Sequence, residues 1–359
     1  MTKSMIAKDT SFDVKHCKGS AIGRVDFKNI AFGKVFSDHI FVMDYANGEW
    51  KRGVIEPFSP MSVSPACMVF HYGQSIFEGM KAYRQQDKSV SLFRPGDNIK
   101  RFNLSAKRMS MPQVPADIFM QALVELIGLD NDWVPSSDDA SLYIRPFMFA
   151  TDSHVGVRES HTYRFMIFTC PVGAYYSKPV RVKVETEYTR AAAGGTGAAK
   201  AAGNYAGALY PTKLAGKEGY DQLLWTDSAN HTHIEECGTM NAAFVVDGKM
   251  LVPSTSDTIL DGVTRKSAIQ IAKSLGIEVE ERPISVTELI EAAKNNKLQE
   301  AFGLGTAATV SLMCTIGFDG WDFDLPPTEN WAVAIKIRKT LEDIRRGYSD
   351  DPYGWNIPV

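Results

Sequence analysis

The sequence predicts a two-domain α+β protein, on three observations. Its 359 residues exceed the roughly 250–300 at which a single hydrophobic core stops growing. Apolar residues recur at strand spacing in some segments, such as YRFMIFTC, and at helical spacing in others, such as VTRKSAIQIAKSL. PVGAYYSKP, at residues 171–179, has the Pro and Gly content of a linker, and the strand VRVKVET restarts regular structure after it. The expected division is a smaller N-terminal α+β domain over 1–170, an interdomain loop over 171–180 and a larger domain over 181–359.

HIFVMDY and WKRGVIEPF flank Asn47-Gly48, a two-residue hairpin signal, so the chain opens with β structure. SVSLFR reads as a further strand ending at Pro95-Gly96. NIKRFNLSAKRM then carries apolar residues at helical spacing, with Arg101 early in the helix. Ala116 to Leu129 is a second amphipathic helix, and LYIRPFMFA and YRFMIFTC are two more strands, which together give helices on an antiparallel sheet. The second half holds a Gly/Ala-rich turn around Lys200, a helix through about Ala215, the strand DQLLWTD, and a second hairpin at Asp247-Gly248 inside HIEECGTMNAAFVVDGKMLV. Gly262 precedes the helix VTRKSAIQIAKSL, which Gly276 closes. VTELIEAAKNN and WAVAIKIRKTLEDIRR are helices, with the strand-turn EAFGLGTAA between them.

Composition narrows the function. With 44% hydrophobic and 23% charged residues the chain is ordinary for a globular protein, and no apolar run approaches the ~18 residues needed to span a bilayer. No membrane association is expected. The N-terminal MTKSMIAKDTSFDVKHCKG lacks both the apolar core of a signal peptide and the acid-free, Arg-rich composition of a transit peptide. A cytoplasmic location is expected. Cys17, Cys67, Cys170, Cys237 and Cys314 are scattered singly, which argues against a disulfide framework or a zinc ribbon. A net charge of −3, without a run of Lys and Arg interleaved with aromatics, gives no footprint for nucleic acid. A small-molecule substrate is expected.

The most unusual segment is AAAGGTGAAKAAGNYAG, where Lys200 sits among small or turn-forming residues and Tyr205 is the only large neighbour. Taken alone, such a stretch reads as a mobile surface loop with a solvated lysine. It is not a Walker phosphate loop, which needs Gly before the lysine and Ser or Thr after it, where Ala199 and Ala201 stand. The functional reading is a lysine that forms a Schiff base, its amine in dry surroundings.

GGTGAAK followed by G-N-Y, with the later E-x-G-T-M-N and G-V-T-R, resembles the branched-chain amino acid aminotransferases of pyridoxal-phosphate fold type IV, the D-amino acid aminotransferase-like fold. The resemblance runs in the family's order from FGKVFSDHIF through HYGQSIFEGMKAYR, LFRPGDNIKR and LYIRPF to GTAA and the C-terminal helix. It implies pyridoxal 5′-phosphate as cofactor, with the larger domain binding it, and a homodimer. It also implies ping-pong transfer of the amino group between leucine, isoleucine or valine and 2-oxoglutarate, by way of glutamate and 2-oxo acids.

By position, the resemblance makes Lys200 the catalytic lysine that carries the cofactor, and gives Tyr205 the cofactor's phenolic oxygen. Glu236 would face the pyridine nitrogen, where a carboxylate keeps the ring protonated and therefore electron-withdrawing. Alone, Glu236 reads as an exposed strand glutamate, and Glu235 beside it points to the opposite face. Phosphate would be held at Arg101, Val263, Thr264 and Thr306. Independently, Gly262 directly before a helix presents unpaired N–H groups and a positive dipole end at Val263 and Thr264. Arg101 taken alone reads equally as a solvated helix residue. The substrate wall would be Phe32, Tyr72 and Phe77, with Val155 and Val157 from a partner subunit and Arg145 at the rim. Tyr143, on the same strand face as Arg145, would hold the substrate α-carboxylate with Thr306 and Ala307. Without the resemblance, Arg145 reads as one half of a structural ion pair.

His231, His233 and Cys237 lack a fourth ligand at sensible spacing, so no metal is expected. GLGTAA at 303–308 fits the loose dinucleotide pattern G-x-G-x-x-A, which keeps a nicotinamide-dependent oxidoreductase as a rival from another class. Within the fold, D-amino acid transaminase and aminodeoxychorismate lyase are the rivals, and LYIRP with FEGMKAYR favours the branched-chain group. The chain departs from the family at Ala201-Ala202, Ala242-Ala243 and Leu251-Val252-Pro253, none of which removes a chemical group.

Overall fold

Two β-sheets, each with its own hydrophobic core, organise the chain. The computed structural model describes residues 11–27, 29–173 and 178–359. Residues 174–177 of the expected interdomain loop lie outside them. Contacts divide the chain into one unit of Met1–Tyr175, Ala199–Ala202 and Ile344–Val359, and a second of Tyr176–Ala198 and Gly203–Asp343. The expected domain 181–359 therefore differs from the second unit in two segments: Lys200 with its neighbours, and the C-terminal sixteen residues 344–359, pack with the first.

In the first unit the strands Ser141–Ala150 and Tyr163–Val172 pair antiparallel along their whole length and form the middle of a ten-stranded sheet. His39–Ala46 extends it on one side, and Met80–Arg84 and Val90–Phe93 on the other. The Asn47-Gly48 hairpin forms as expected, because both residues adopt positive φ, 58° and 79°. WKRGVIEPF is not one strand. It breaks into Glu49–Trp50 and Val54–Pro57 around Gly53, where a Cβ would lie 2.5 Å from the Phe41 ring. Helix α1 is the short Met68–Tyr72. Helix α2 is Pro95–Arg108, three residues longer at its start than the periodicity suggested, because Pro95 occupies the first helical turn rather than ending a loop. Helix α3 is Ala116–Leu129. Phe102 of α2, Phe119 of α3 and Phe165 of the sheet meet with ring centroids 4.9–5.4 Å apart at the centre of the core.

Alternation along Ser141–Ala150 sends Leu142, Ile144 and Met148 into that core and Tyr143, Arg145 and Phe147 to the other face. The chain's end closes the sheet. Asn356–Pro358 pairs with Val90–Phe93, and Trp355 is buried between a stacked Tyr353, an edge-on Phe93 and the Arg94 guanidinium 4.8 Å from its centroid.

The second unit is built on a nine-stranded mixed sheet. Val180–Val184 lies parallel to both Gln222–Thr226 and Thr309–Phe318, and α4, Ala202–Lys217, makes the crossover from Val180–Val184 to Gln222–Thr226. Asp247 and Gly248 form the second hairpin, again with positive φ at both. Helix α5, Val263–Ser274, ends as the sequence indicates: Gly276 has φ 74°, and the N–H groups of Gly276 and Ile277 return to Lys273 and Ala272. Helix α6 is Val286–Lys294, with the Ser285 side chain accepting from Glu288 N–H.

The ten-residue strand Thr309–Phe318 has no counterpart in the periodicity reading, because it is buried on both faces and so shows no alternation. It pairs with Leu298–Gly305 as a hairpin through Thr306, Ala307 and Ala308. GLGTAA is thus a β-hairpin. No helix follows it, and the strand–turn–helix context of a dinucleotide site is absent there. The buried Glu300 accepts the N–H groups of Ala332, Val333 and Ala334 at 2.7–2.9 Å and caps the N-terminus of α7, Val333–Arg346. Among the described residues no helix is long and apolar enough to cross a membrane.

The return of the C-terminus into the first sheet sets a measurable stability. Trp355→Ala is expected to destabilise the protein by about 3–5 kcal/mol in denaturant unfolding, whereas the exposed Trp321→Ala should change it by less than about 0.5 kcal/mol. Equal effects would mean that the C-terminal segment contributes no core packing.

Candidate functional site

In the first unit, Lys200 is held by its backbone. Its N–H donates to Ser105 Oγ at 2.9 Å, its carbonyl accepts from Phe77 N–H at 3.1 Å, and Ala201 bridges Ile76. The mobile-loop reading of this stretch fails on those bonds. Lys200 Nζ lies 4.9 Å from the centroid of the Phe77 ring. Arg145 stacks over the same ring at 4.7 Å and donates from Nη2 to the Tyr143 hydroxyl at 3.0 Å. Phe32 meets Tyr143 edge-on at 5.2 Å. Gly79 makes room for this group, since a Cβ there would lie 2.2 Å from the Tyr143 hydroxyl. Among the described residues no carboxylate pairs with Arg145, and its Nε is buried without a hydrogen-bond partner. The ion-pair reading of Arg145 therefore fails.

Tyr72 ends α1 and is half-exposed, while Val155 and Val157 are 70% and 89% exposed on the loop that follows Ser141–Ala150. The structure brings Phe32, Phe77, Tyr143, Arg145 and Lys200 together and leaves these three at the surface.

Arg101 is not solvated. It makes a two-bond fork with Glu78, Nε to Oε1 at 2.7 Å and Nη2 to Oε2 at 2.8 Å. Glu78 is completely buried, and Oε2 also accepts from Asn98 Nδ2 at 2.8 Å and from Gly79 N–H at 3.1 Å. Burial pushes the Glu78 carboxyl up. The charge and hydrogen bonds of Arg101, then the charge of Lys200 and the amide of Asn98, outweigh burial and hold it below the usual carboxylate range.

In the second unit, Glu236 lies buried on the strand Ile234–Cys237, paired with Trp225 on one side and Asn241 on the other. Its Oε1 accepts Leu260 N–H at 2.7 Å, and Oε2 lies 3.2 Å from Arg190 Nε. Glu235 takes the hydroxyl of Thr258 instead. Both glutamates are buried, so the exposed-strand reading of Glu236 fails. Helix α5 begins at Gly262 with no side-chain cap and no acidic residue in its first turn, and Val263 and Thr264 are buried there. A Cβ on Gly262 would strike Asn241 Oδ1 at 1.9 Å, so glycine is required for this approach. Tyr205 is half-buried in the first turn of α4, whose start is tied down by Asn204 bonding to Thr196. Thr306 and Ala307 occupy the hairpin turn described above. His231 and His233 belong to a turn whose N–H groups converge on Asp227.

The sequence profile of the family described as amino-transferase class IV matches residues 75–311. Branched-chain-amino-acid transaminase 1 of Bacillus subtilis is 44% identical over 339 residues, which covers 93% of this chain and 95% of that protein. The chain belongs to the class IV aminotransferases. The crystal structure of the Escherichia coli branched-chain amino acid aminotransferase superposes with a TM-score of 0.72 at 28% identity, covering 89% of this chain and 98% of that one. The branched-chain aminotransferase of the thermophilic archaeon Thermoproteus uzoniensis, crystallised with norvaline, superposes at 0.73 with 25% identity, covering 88% and 98%. The expected fold type is therefore the observed one.

Sequence reasoning about this aminotransferase passed over Glu78, Ser105 and Arg190. Glu78 stands inside the FEG of HYGQSIFEGMKAYR with no local mark of burial, and Ser105 was legible only as the residue one turn after Arg101. Glu78 carries a pH signature. A depressed carboxyl contributes stability that is present above its unfolded value, ordinarily 4.5, and is lost as pH falls through the lower folded value. Glu78→Gln should cost on the order of 3 kcal/mol at neutral pH. The gap to wild type should close as the pH drops below that ordinary value, checked by unfolding curves at stepped pH. A gap independent of pH would mean that the folded carboxyl is not the charged partner of Arg101.

Proposed function

We propose that this aminotransferase moves the amino group between branched-chain L-amino acids and 2-oxoglutarate with pyridoxal 5′-phosphate. The observation that carries the reading is Lys200: its backbone is fixed on both sides and its amine is set against the face of Phe77. The described residues suit the cofactor. An uncapped α5 N-terminus with the buried Val263 and Thr264 matches a phosphate dianion, and the buried carboxylate of Glu236 matches a protonated ring nitrogen.

When bound, the cofactor supplies an electron sink for the substrate Cα. Lys200 Nζ would hold the cofactor and, as base and acid, would move the proton at the substrate Cα. Glu236 would keep the ring nitrogen protonated, and Tyr205 would take the phenolic oxygen. By the family resemblance, Arg101, Val263, Thr264 and Thr306 are the residues that would hold the phosphate. Tyr143 and the Thr306-Ala307 turn hold the substrate α-carboxylate.

Two kinds of side chain must bind in turn, an apolar branched one and the carboxylate arm of glutamate. Phe32, Tyr72 and Phe77 suit the first. Arg145, stacked on aromatic faces and paired with no carboxylate among the described residues, suits the second. Val155 and Val157, largely exposed on this chain, would complete the wall in a partner subunit of a homodimer. The five cysteines are free thiols, which accords with a cytoplasmic enzyme.

Lys200→Ala should abolish both transamination and the borohydride-reducible link to the cofactor. A reduced adduct on another lysine, found by peptide mass, would overturn the assignment. Arg145→Met should weaken kcat/KM for glutamate and 2-oxoglutarate by roughly ten- to a hundred-fold, the worth of a charge-assisted hydrogen bond. Leucine should change far less. Equal losses in single-turnover measurements of the two half-reactions would show that Arg145 does not read the carboxylate.

A further inference from the structure

Arg190 of the second unit is half-buried, its side chain 9% exposed, and its contacts converge on the segments that precede Lys200 and surround Glu236. Its Nη2 donates to the carbonyl of Thr258 and lies 3.5 Å from the carbonyl of Gly197, while Nε lies 3.2 Å from Glu236 Oε2. Gly197 is pressed so close that a Cβ would lie 2.7 Å from Thr258 Cα, and Ala198 N–H donates to Asp257 O at 2.9 Å. One guanidinium thus joins the Gly/Ala-rich loop, the 257–260 loop and Glu236.

Two neighbouring carboxyls face this cation. Glu236 has Arg190 at one oxygen and Leu260 N–H at the other. Glu235 has the Thr258 hydroxyl on Oε1, and its Oε2 is buried without a hydrogen-bond partner. An ionised carboxylate with one bare buried oxygen costs far more than a neutral acid in the same place. Burial, reinforced by the charges of Asp227 and Asp257, pushes the Glu235 carboxyl up against the opposing pull of Thr258 and Arg190. One cation and one ionised carboxylate balance, and two ionised carboxylates would not.

We infer that Arg190 is a positioning residue for the cofactor's ring nitrogen: it acts through Glu236, keeping that carboxylate charged and oriented, while Glu235 carries the proton of the pair. This rests on the proposed binding of pyridoxal phosphate. It assigns unlike protonation states to two adjacent glutamates.

The test measures dissociation constants on the apoenzyme, by the quenching of tryptophan fluorescence, for pyridoxal 5′-phosphate and for its 1-deaza analogue, which has carbon in place of the ring nitrogen. Melting of each apo variant is followed alongside. Arg190→Gln should weaken pyridoxal phosphate by about ten-fold or more, the size of a lost charge-assisted contact, and weaken the deaza analogue by less than about three-fold. Glu236→Gln should show the same pattern, Arg190→Lys a reduced form of it, and Glu235→Gln should bind both ligands as wild type does.

Equal weakening of both ligands by Arg190→Gln would make Arg190 a purely structural residue and overturn the inference, as would no weakening of either. A Glu235→Gln penalty matching that of Glu236→Gln would overturn the division of charge. If Arg190→Gln does not fold, Arg190→Lys decides by the same comparison, with a larger loss for pyridoxal phosphate supporting the inference and equal losses overturning it. A wild-type protein that binds neither ligand would refute the proposed cofactor itself, an outcome distinct from all of these.

Discussion

A carboxylate with no access to water survives as an anion only where fixed donors replace its hydration, and Glu78 imposes that condition on the first unit. Three neighbours meet it: the Arg101 fork, the Asn98 amide and the N–H of Gly79. Both side-chain donors come from α2, so the helix cannot rotate or slide without stranding the charge. Ser105, one turn beyond Arg101, bonds back to the Arg101 carbonyl and accepts the Lys200 N–H. The position of the Lys200 backbone is thereby referred to the same helix that neutralises Glu78, and Phe77, the residue before Glu78, holds its other side.

The second unit reaches similar rigidity by close approach. Glycine permits backbone contacts that a methyl group would prevent: Gly197 against Thr258, Gly262 against Asn241, Gly303 against Met240. The first joins two loops, the second sets the start of α5 against the strand that carries Asn241, and the third lies within the sheet itself. The places where the chain departs from its family fall among such backbone-dominated positions. Ala201 is buried and bridges Ile76, Ala242 and Ala243 pair with Gly303 and Phe302, and Pro253 lends its carbonyl to Arg265. Ala201, Ala242 and Ala243 keep their backbone groups in the pairing, whereas proline at 253 has no N–H to donate.

Charge placement differs between two arginines of the first unit. Arg101 is matched to a carboxylate and is structural as well as cationic, whereas Arg145 has aromatic faces and a phenol hydroxyl in place of a carboxylate. A guanidinium is weakly hydrated and tolerates aromatic stacking, so Arg145 can wait without an anion at lower cost than a lysine would.

Local interactions determine what was legible in the sequence. The hairpins at Asn47-Gly48 and Asp247-Gly248, the closure of α5 by Gly276 and the extent of α3 depend on the φ preferences and spacing of a few adjacent residues, and they form where the sequence placed them. The residues that mark the family, Lys200, Glu236 and the Gly262 helix start, were legible because their spacing within short motifs survives without three-dimensional information. Tertiary structure alone decided the rest. Thr309–Phe318 is buried on both faces and so carries no alternation to read. GLGTAA turned out to be a hairpin because the strand after it pairs back, a contact that no local pattern encodes. The pairing of Asn356–Pro358 with Val90–Phe93 joins residues more than 250 positions apart, and Glu78, Arg190 and Glu235 acquire their roles from burial and charged neighbours distant in the chain. Spacing along a chain reports the geometry of one turn or one strand, whereas the protonation and pairing of a buried group depend on everything that the fold packs around it.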